Sequence, residues 1–195
     1  MSDSTINPIN EFDLFWASIE SNSKPTQLER YEAKGSPEYI KKFIAIGGGS
    51  RMGTTLEEFA RFRYSCLNKR KSGKGQSGYD HYIHIASHDI YIEQKSSGHW
   101  SDDDYKWQHV EGKHKWNILL LCGIDYTDVR FWGMNRNVFQ DLISKGKITN
   151  QGNKAGDSSQ GYWFYYSDVK DYLIPIRTQE ELLSYVTAQI NNGMQ

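Results

Sequence analysis

The stretch Gly78-Tyr79-Asp80-His81-Tyr82-Ile83-His84-Ile85-Ala86-Ser87-His88-Asp89-Ile90-Tyr91-Ile92-Glu93-Gln94-Lys95 alternates apolar and polar side chains on both sides of a polar break. A period of two is the signature of a half-buried strand, because successive side chains leave a pleated chain on opposite faces. Asp80–Ala86 and Asp89–Lys95 are therefore predicted as the strands of a hairpin, with Ser87-His88 as a two-residue turn. In that register Ile85 faces Ile90, Ile83 faces Ile92, Tyr82 faces Glu93 and Asp80 faces Lys95. The four isoleucines gather on one face, and Asp80, Tyr82, His84, Tyr91, Glu93 and Lys95 occupy the other. A slip of one residue would split the isoleucines between faces, so the apolar set supports the assignment without any functional premise.

On the polar face Asp80 and Glu93 become diagonal neighbours, about 7 Å apart at the backbone. Two carboxylates about 6 Å apart repel by roughly 3 kcal/mol at an effective dielectric of about 20. Lys95 offsets one charge and leaves a net negative pocket, which a hard divalent cation completes through carboxylate oxygens. The competing account is a solvated sheet face carrying an ordinary lysine–carboxylate pair.

Working outward, Thr54 with Glu57, or Thr55 with Glu58, forms a capping-box pattern ahead of an apolar stripe of Leu56, Phe59, Ala60, Cys66 and Leu67, predicting a helix to about residue 68. The glycine-rich run 47–54 invites comparison with a phosphate-binding loop. It has no lysine between Gly53 and Thr54, so it reads as a flexible turn before that helix. Phe12–Ile19 carries helical spacing, and Ser36-Pro37-Glu38 starts a helix ending near Gly47. Downstream, Ser101 and the acidic turn 102–104 predict a helix over 102–110. Trp116–Ile124 is a nearly continuous apolar run that predicts a strand covered on both faces. A strand at 129–134, a helix at 137–144, a polar loop at 149–161, a strand at 162–166 and a final helix capped by Thr178 complete the chain. This order predicts a mixed α/β fold, with a central mixed sheet flanked by helices.

With 195 residues, 37% apolar and 14% aromatic, the chain fits one domain with a packed core. The expected division is a single domain over 1–195, with a core at about 54–134 and recognition or dimerisation elements in 135–195. The net charge of −1 excludes global attraction to nucleic acid or anionic membrane, so any DNA-facing surface must concentrate its basic residues locally. Cys66 and Cys122 lie in apolar segments and read as free thiols. No apolar run approaches the roughly 20 residues of a membrane span, and the N-terminus lacks a signal pattern, so a cytoplasmic location is expected.

An Asp at the start of one strand, followed on the next by Glu93-Gln94-Lys95, resembles the PD-(D/E)XK nuclease superfamily, and within it the type II restriction endonucleases. The similarity covers roughly residues 54–134, with the helices and strands expected around the hairpin; Tyr79 stands where the family pattern has Pro. The resemblance implies a restriction-endonuclease-like core and Mg²⁺-dependent, sequence-specific hydrolysis of double-stranded DNA by a homodimer, with Mn²⁺ an expected substitute. It also implies metal ligation by Asp80 and Glu93 and orientation of the attacking water by Lys95. Glu57 is the expected further ligand from the preceding helix, with Glu58 as the alternative. A repair, recombination or phage nuclease of the same superfamily, and a non-catalytic DNA-binding module, are the alternative functions.

Lys69, Arg70, Lys71 and Lys74 form the clearest basic cluster and are candidates for phosphate contact. Asn150, Gln151, Asn153 and Lys154 have the donors and acceptors to read base edges, or belong to a surface loop. Tyr162-Trp163-Phe164-Tyr165-Tyr166 suits stacking on bases, or core or subunit packing. His81 points with the isoleucines and His84 with Asp80, so the hairpin histidines do not make a zinc site.

Overall fold

A computed structural model describes residues 24–72, 78–100, 103–152 and 161–191. Its elements are α1 (Gln27–Ala33), α2 (Glu38–Ala45), α3 (Gly49–Arg63), β1 (Asn68–Lys69), β2 (His81–Ile85), β3 (His88–Gly98), β4 (Lys106–Val110), β5 (Ile118–Ile124) and β6 (Val129–Asn135). They continue with α4 (Arg136–Ser144), β7 (Thr149–Asn150), β8 (Tyr162–Tyr165), α5 (Tyr166–Val169), a 3₁₀ turn (Lys170–Tyr172), β9 (Ile174–Ile176) and α6 (Gln179–Asn191). The helix expected over Phe12–Ile19 lies outside the described residues.

The chain is mixed α/β. Its main sheet has the strand order β1-β2-β3-β5-β6-β9. β3 runs parallel to β5, whereas the β2–β3, β5–β6 and β6–β9 pairs are antiparallel. β5 sits in the middle and is buried along its whole length, as its unbroken apolar sequence requires. Because side chains alternate along the strands, the sheet feeds two cores. One face carries Ile83, Ile90, Ile92, Ile118 and Leu120 beneath Leu56 and Ala60 of α3 and Leu182 and Val186 of α6. The other carries Leu119, Leu121, Trp132 and Met134 against Trp107 of β4, Phe139 and Leu142 of α4, and Phe164 of β8. Gly133 is required where α6 crosses β6, since a Cβ there would lie 2.5 Å from the Tyr185 ring.

The hairpin forms with the predicted faces but turns one residue earlier. Ala86 and Ser87 occupy the turn with φ of 48° and 67°, the doubly positive conformation of a type I′ turn. Ile83 therefore pairs with Ile90, Tyr82 with Tyr91 and His84 with Asp89. This shift of two preserves every side chain's face. It also aligns His84 Nδ1 with Asp89 Oδ1 at 2.9 Å, a contact the expected register would lose.

Four other expectations are corrected. Residues 102–110 form no helix among those described: Lys106–Val110 is a strand, linked back to β3 by a His99–Tyr105 bridge. Trp107 and Val110 are buried on its inner side, and Asp104 accepts hydrogen bonds from Tyr105 N and Ser167 Oγ instead of capping a helix. The long helix before the hairpin starts at Gly49 and stops at Arg63, so Thr54 and Thr55 are interior and Cys66 and Leu67 lie beyond it. Thr55 Oγ1 bonds back to Arg51 O, and the turn is made instead by Gly47 and Gly48, both with positive φ. Pro37, not Ser36, is the N-cap of α2, without a side-chain bond. Finally, α1 was not anticipated, although Thr26 and Glu29 form a reciprocal capping box at its start.

Candidate active site

The decisive feature is a difference in strand length. β2 pairs only with the first half of β3, whose residues 94–98 run on beside β5 with their other edge unpaired by β2. The notch opens into a cleft of about 1020 Å³. One wall is the N-terminal half of α3, with Gly49, Ser50, Thr54 and Glu57. The opposite wall is the β3–β4 hairpin, with Trp100, Lys106, Gln108 and His109, and Arg30 of α1 lies at one end. Asp80, Gln94 and Lys95 line the notch itself.

The chemically active side chains come from three places in the chain: the residue before β2, the strand β3 and the helix α3. Asp80 immediately precedes β2, and its Oδ2 accepts a 2.8 Å hydrogen bond from the Gln94 backbone N–H, so the carboxylate substitutes for a ladder partner. Glu93, 5% exposed, is ion-paired at 2.7 Å to Lys95 Nζ. Glu57 follows the core residue Leu56 and is thereby fixed toward the notch, whereas Glu58 is exposed and does not line the cleft. Of the residues expected from the sequence, Asp80 and Lys95 line the cleft together with Glu57 of the helix, and Glu93 is reached through its ion pair with Lys95.

The electrostatics register this convergence. Burial raises the Glu93 carboxyl above its usual range, opposed by Lys95 and reinforced by the charge of Asp80. Glu57 is pushed up to about 7, first by burial and then by Asp80, with Arg61 and Arg70 opposing and Glu93 adding to the shift. Mutual repulsion among carboxylates, with burial, is the condition a divalent cation relieves. Among the described residues, no three His, Cys, Asp or Glu side chains approach closely enough to hold a metal by themselves.

Behind the notch, Arg61 Nη1 lies 3.0 Å from His81 Nδ1, and His81 Nε2 lies 3.0 Å from Gln94 Oε1. A guanidinium can only donate, so Nδ1 accepts and the imidazole proton sits on Nε2, facing the amide oxygen. The buried ring is neutral, and burial holds its pKa down at about 4. His81 thus ties α3, which carries Glu57, to the strand residue between Glu93 and Lys95.

The expected DNA-facing residues divide. Arg70 N–H donates to Asp80 O at 3.0 Å, and its charge acts on Glu57, so it borders the site. Lys69 is exposed on β1. Lys71 is committed elsewhere, 2.7 Å from Asp89 and over the Tyr82 ring. Asn150 Oδ1 accepts from Gly152 N, and Gln151 Oε1 accepts from the His109 N–H on the cleft wall. Lys74, Asn153 and Lys154 lie outside the described residues. Arg30, Trp100, Lys106 and His109 were missed as cleft residues, three of them because a strand and its approach were read as a helix. The alternation of Tyr105 and Trp107 was the signal available for that strand.

Phe164 of β8 is buried in the core, and Tyr162 and Tyr166 pack against it. Trp163 and Tyr165 share the opposite, outward face with Lys106, which pairs with Tyr165 across the small β4–β8–β7 sheet. Among the described residues, no helix is long and apolar enough to cross a membrane. No protein-family model matches this chain, and no curated protein shows significant similarity to it.

Proposed function

We propose that this protein is a Mg²⁺-dependent endodeoxyribonuclease of the PD-(D/E)XK kind, hydrolysing phosphodiester bonds of double-stranded DNA in the manner of a type II restriction enzyme. The observation that carries this reading is the notch, where Asp80, Lys95 and Glu57 line one open cleft and Glu93 is ion-paired to Lys95. Asp80 and Glu93 would hold magnesium together with water and phosphate oxygens, and Glu57, lining the same cleft within electrostatic reach of both, is the further carboxylate available to it. The ion would supply Lewis-acid polarisation of the scissile phosphate.

The chain's own residues contribute the rest. Lys95, fixed by its bond to Glu93, presents a cation where negative charge develops on the phosphate and can orient the attacking water. The N-terminal turn of α3, without a side-chain cap, lines the same cleft, and its dipole favours an anionic strand. Arg70 and Arg30 add positive charge at the margins, which the overall charge of −1 does not provide. Action as a homodimer in the cytoplasm follows from the restriction-enzyme reading.

Incubation of the purified protein with supercoiled plasmid tests the proposal. Cleavage is expected with magnesium and not with EDTA, and Asp80→Asn, Glu93→Gln and Lys95→Ala should each lower the rate by at least about a hundredfold. Discrete fragments support sequence-specific cutting; cleavage confined to branched or modified duplexes favours a repair or phage nuclease. A wild-type protein that binds DNA without cutting it, with affinity unmoved by Glu93→Gln, would identify a non-catalytic binding module.

A further inference from the structure

The outward face of the small sheet holds a feature that the catalytic notch does not use. Lys106 Nζ lies 4.4 Å from the centroid of the Trp163 ring, 5.1 Å from Trp100 and 5.5 Å from Tyr165. Three aromatic rings therefore surround one ammonium group. Trp163 and Tyr165 meet edge to face, with centroids 5.5 Å apart. These rings are not needed to build the core, because the inner side of the same sheet already buries Trp107, Val110 and Phe164. Trp100 remains 43% exposed. Among the described residues, no carboxylate pairs with Lys106, and both Lys106 and Trp100 line the cleft that contains Asp80 and Lys95.

We propose that Trp100, Trp163 and Tyr165 form a stacking platform for an unstacked base of the bound strand, with Lys106 moving from the rings to the neighbouring phosphate. The proposal rests on the nuclease reading and narrows its substrate class. Bases inside a regular duplex are already stacked on both sides and cannot use such a platform. Its occupant is a nucleotide in a single-stranded, bulged or flipped segment. The ring faces supply sequence-tolerant stacking, and the lysine supplies the charge that follows the backbone. Continuity with the notch places both functions along one strand path.

Fluorescence anisotropy in EDTA tests this with three labelled probes: a short oligothymidine, a plain duplex, and the same duplex with one unpaired central thymidine. Trp163→Ala is expected to weaken oligothymidine and bulged-duplex binding about tenfold or more while leaving the plain duplex within about threefold. Trp163→Phe, which keeps a ring, should retain most of the affinity. Lys106→Ala should lower the salt dependence of oligothymidine binding by about one phosphate contact. Phe62→Ala, an exposed aromatic outside the cleft, is the control, and circular dichroism checks that each variant is folded. Equal weakening on all three probes, or none, overturns the platform even if plasmid cleavage persists. Conversion of a wild-type dimer to a monomer by Trp163→Ala, with strand affinity unchanged, overturns it in favour of a subunit interface. A wild-type protein that binds none of the probes and cuts no plasmid removes the nuclease reading with it.

Discussion

Replacing Glu57 by Gln should stabilise the metal-free protein above neutral pH while impairing the proposed nuclease activity. The folded protein holds this carboxyl at about 7, against an ordinary value of 4.5. Because the folded value is raised, the contribution of Glu57 is fully present below about 4.5 and is lost as pH rises through 7. A shift of that size corresponds to at most about 3.4 kcal/mol at 1.36 kcal/mol per unit. The side chain is 28% exposed, so solvent screening reduces the expected cost to about 2 kcal/mol. Glutamine keeps the shape and carries no charge, and among the described residues the ion pair forfeited is a 4.0 Å contact with Arg61. Urea unfolding in EDTA should give nearly equal stability for the two proteins at pH 5 and an advantage of about 2 kcal/mol for Glu57→Gln at pH 8. Adding magnesium should stabilise the wild type more than the variant, because the ion needs the deprotonated carboxylate. A stability difference that does not change between pH 5 and pH 8 would refute the carboxylate-cluster reasoning.

Three further expectations concern the scaffold. Ser87→Gly should raise stability by about 0.5–1 kcal/mol in urea titrations, since glycine relieves the positive φ of 67° in the hairpin turn; a loss would mean the hydroxyl makes an essential contact. His81 should resist protonation: with a folded pKa of about 4 against the ordinary 6.5, its contribution is full above 6.5 and falls away as pH drops through 4, by up to about 1.4 kcal/mol per unit. An NMR titration in which this ring protonates near 6.5 would contradict the buried relay. Asn135→Ala should cost about 1–2 kcal/mol in thermal or urea unfolding, because it removes the Val138 N–H cap of α4 and a 2.6 Å bond to Gln189.

Where the sequence was legible, one strong periodicity spoke without a competitor. The isoleucines at 83, 90 and 92 define one face of the hairpin, and no turn position can move them off it without a shift of one residue. The actual shift was two, so Asp80, Glu93 and Lys95 emerged together although their partners were misassigned. The unbroken run 118–124 likewise announced a central strand. Failures came where capping chemistry was read without the tertiary context. Thr54 and Thr55 look like caps, yet two positive-φ glycines start the helix a turn earlier. The acids at 102–104 look like a helix start, but aromatic burial at Tyr105 and Trp107 outweighs that preference. The cleft wall could not be read for the same reason: it depends on β4 folding back against β8, which is more than fifty residues away in the chain.

The like-charge cluster survives folding because each of its members is anchored by interactions that do not depend on the others. Glu57 is carried by a helix whose Leu56 and Ala60 are fully buried, which holds its backbone beside the cleft. Glu93 lies on β3, locked in register with a completely buried β5. Asp80 is clamped by a backbone N–H of the same strand. The backbones that carry the three carboxylates cannot draw apart without breaking packing or a hydrogen bond, and uptake of protons or a cation relieves the repulsion that remains. In a solvated pair on an open strand face, by contrast, flexible side chains could simply separate. Rigidity of the supports, together with burial of the charges, distinguishes this notch from an ordinary polar sheet edge and is the feature on which the proposed metal-dependent reaction depends.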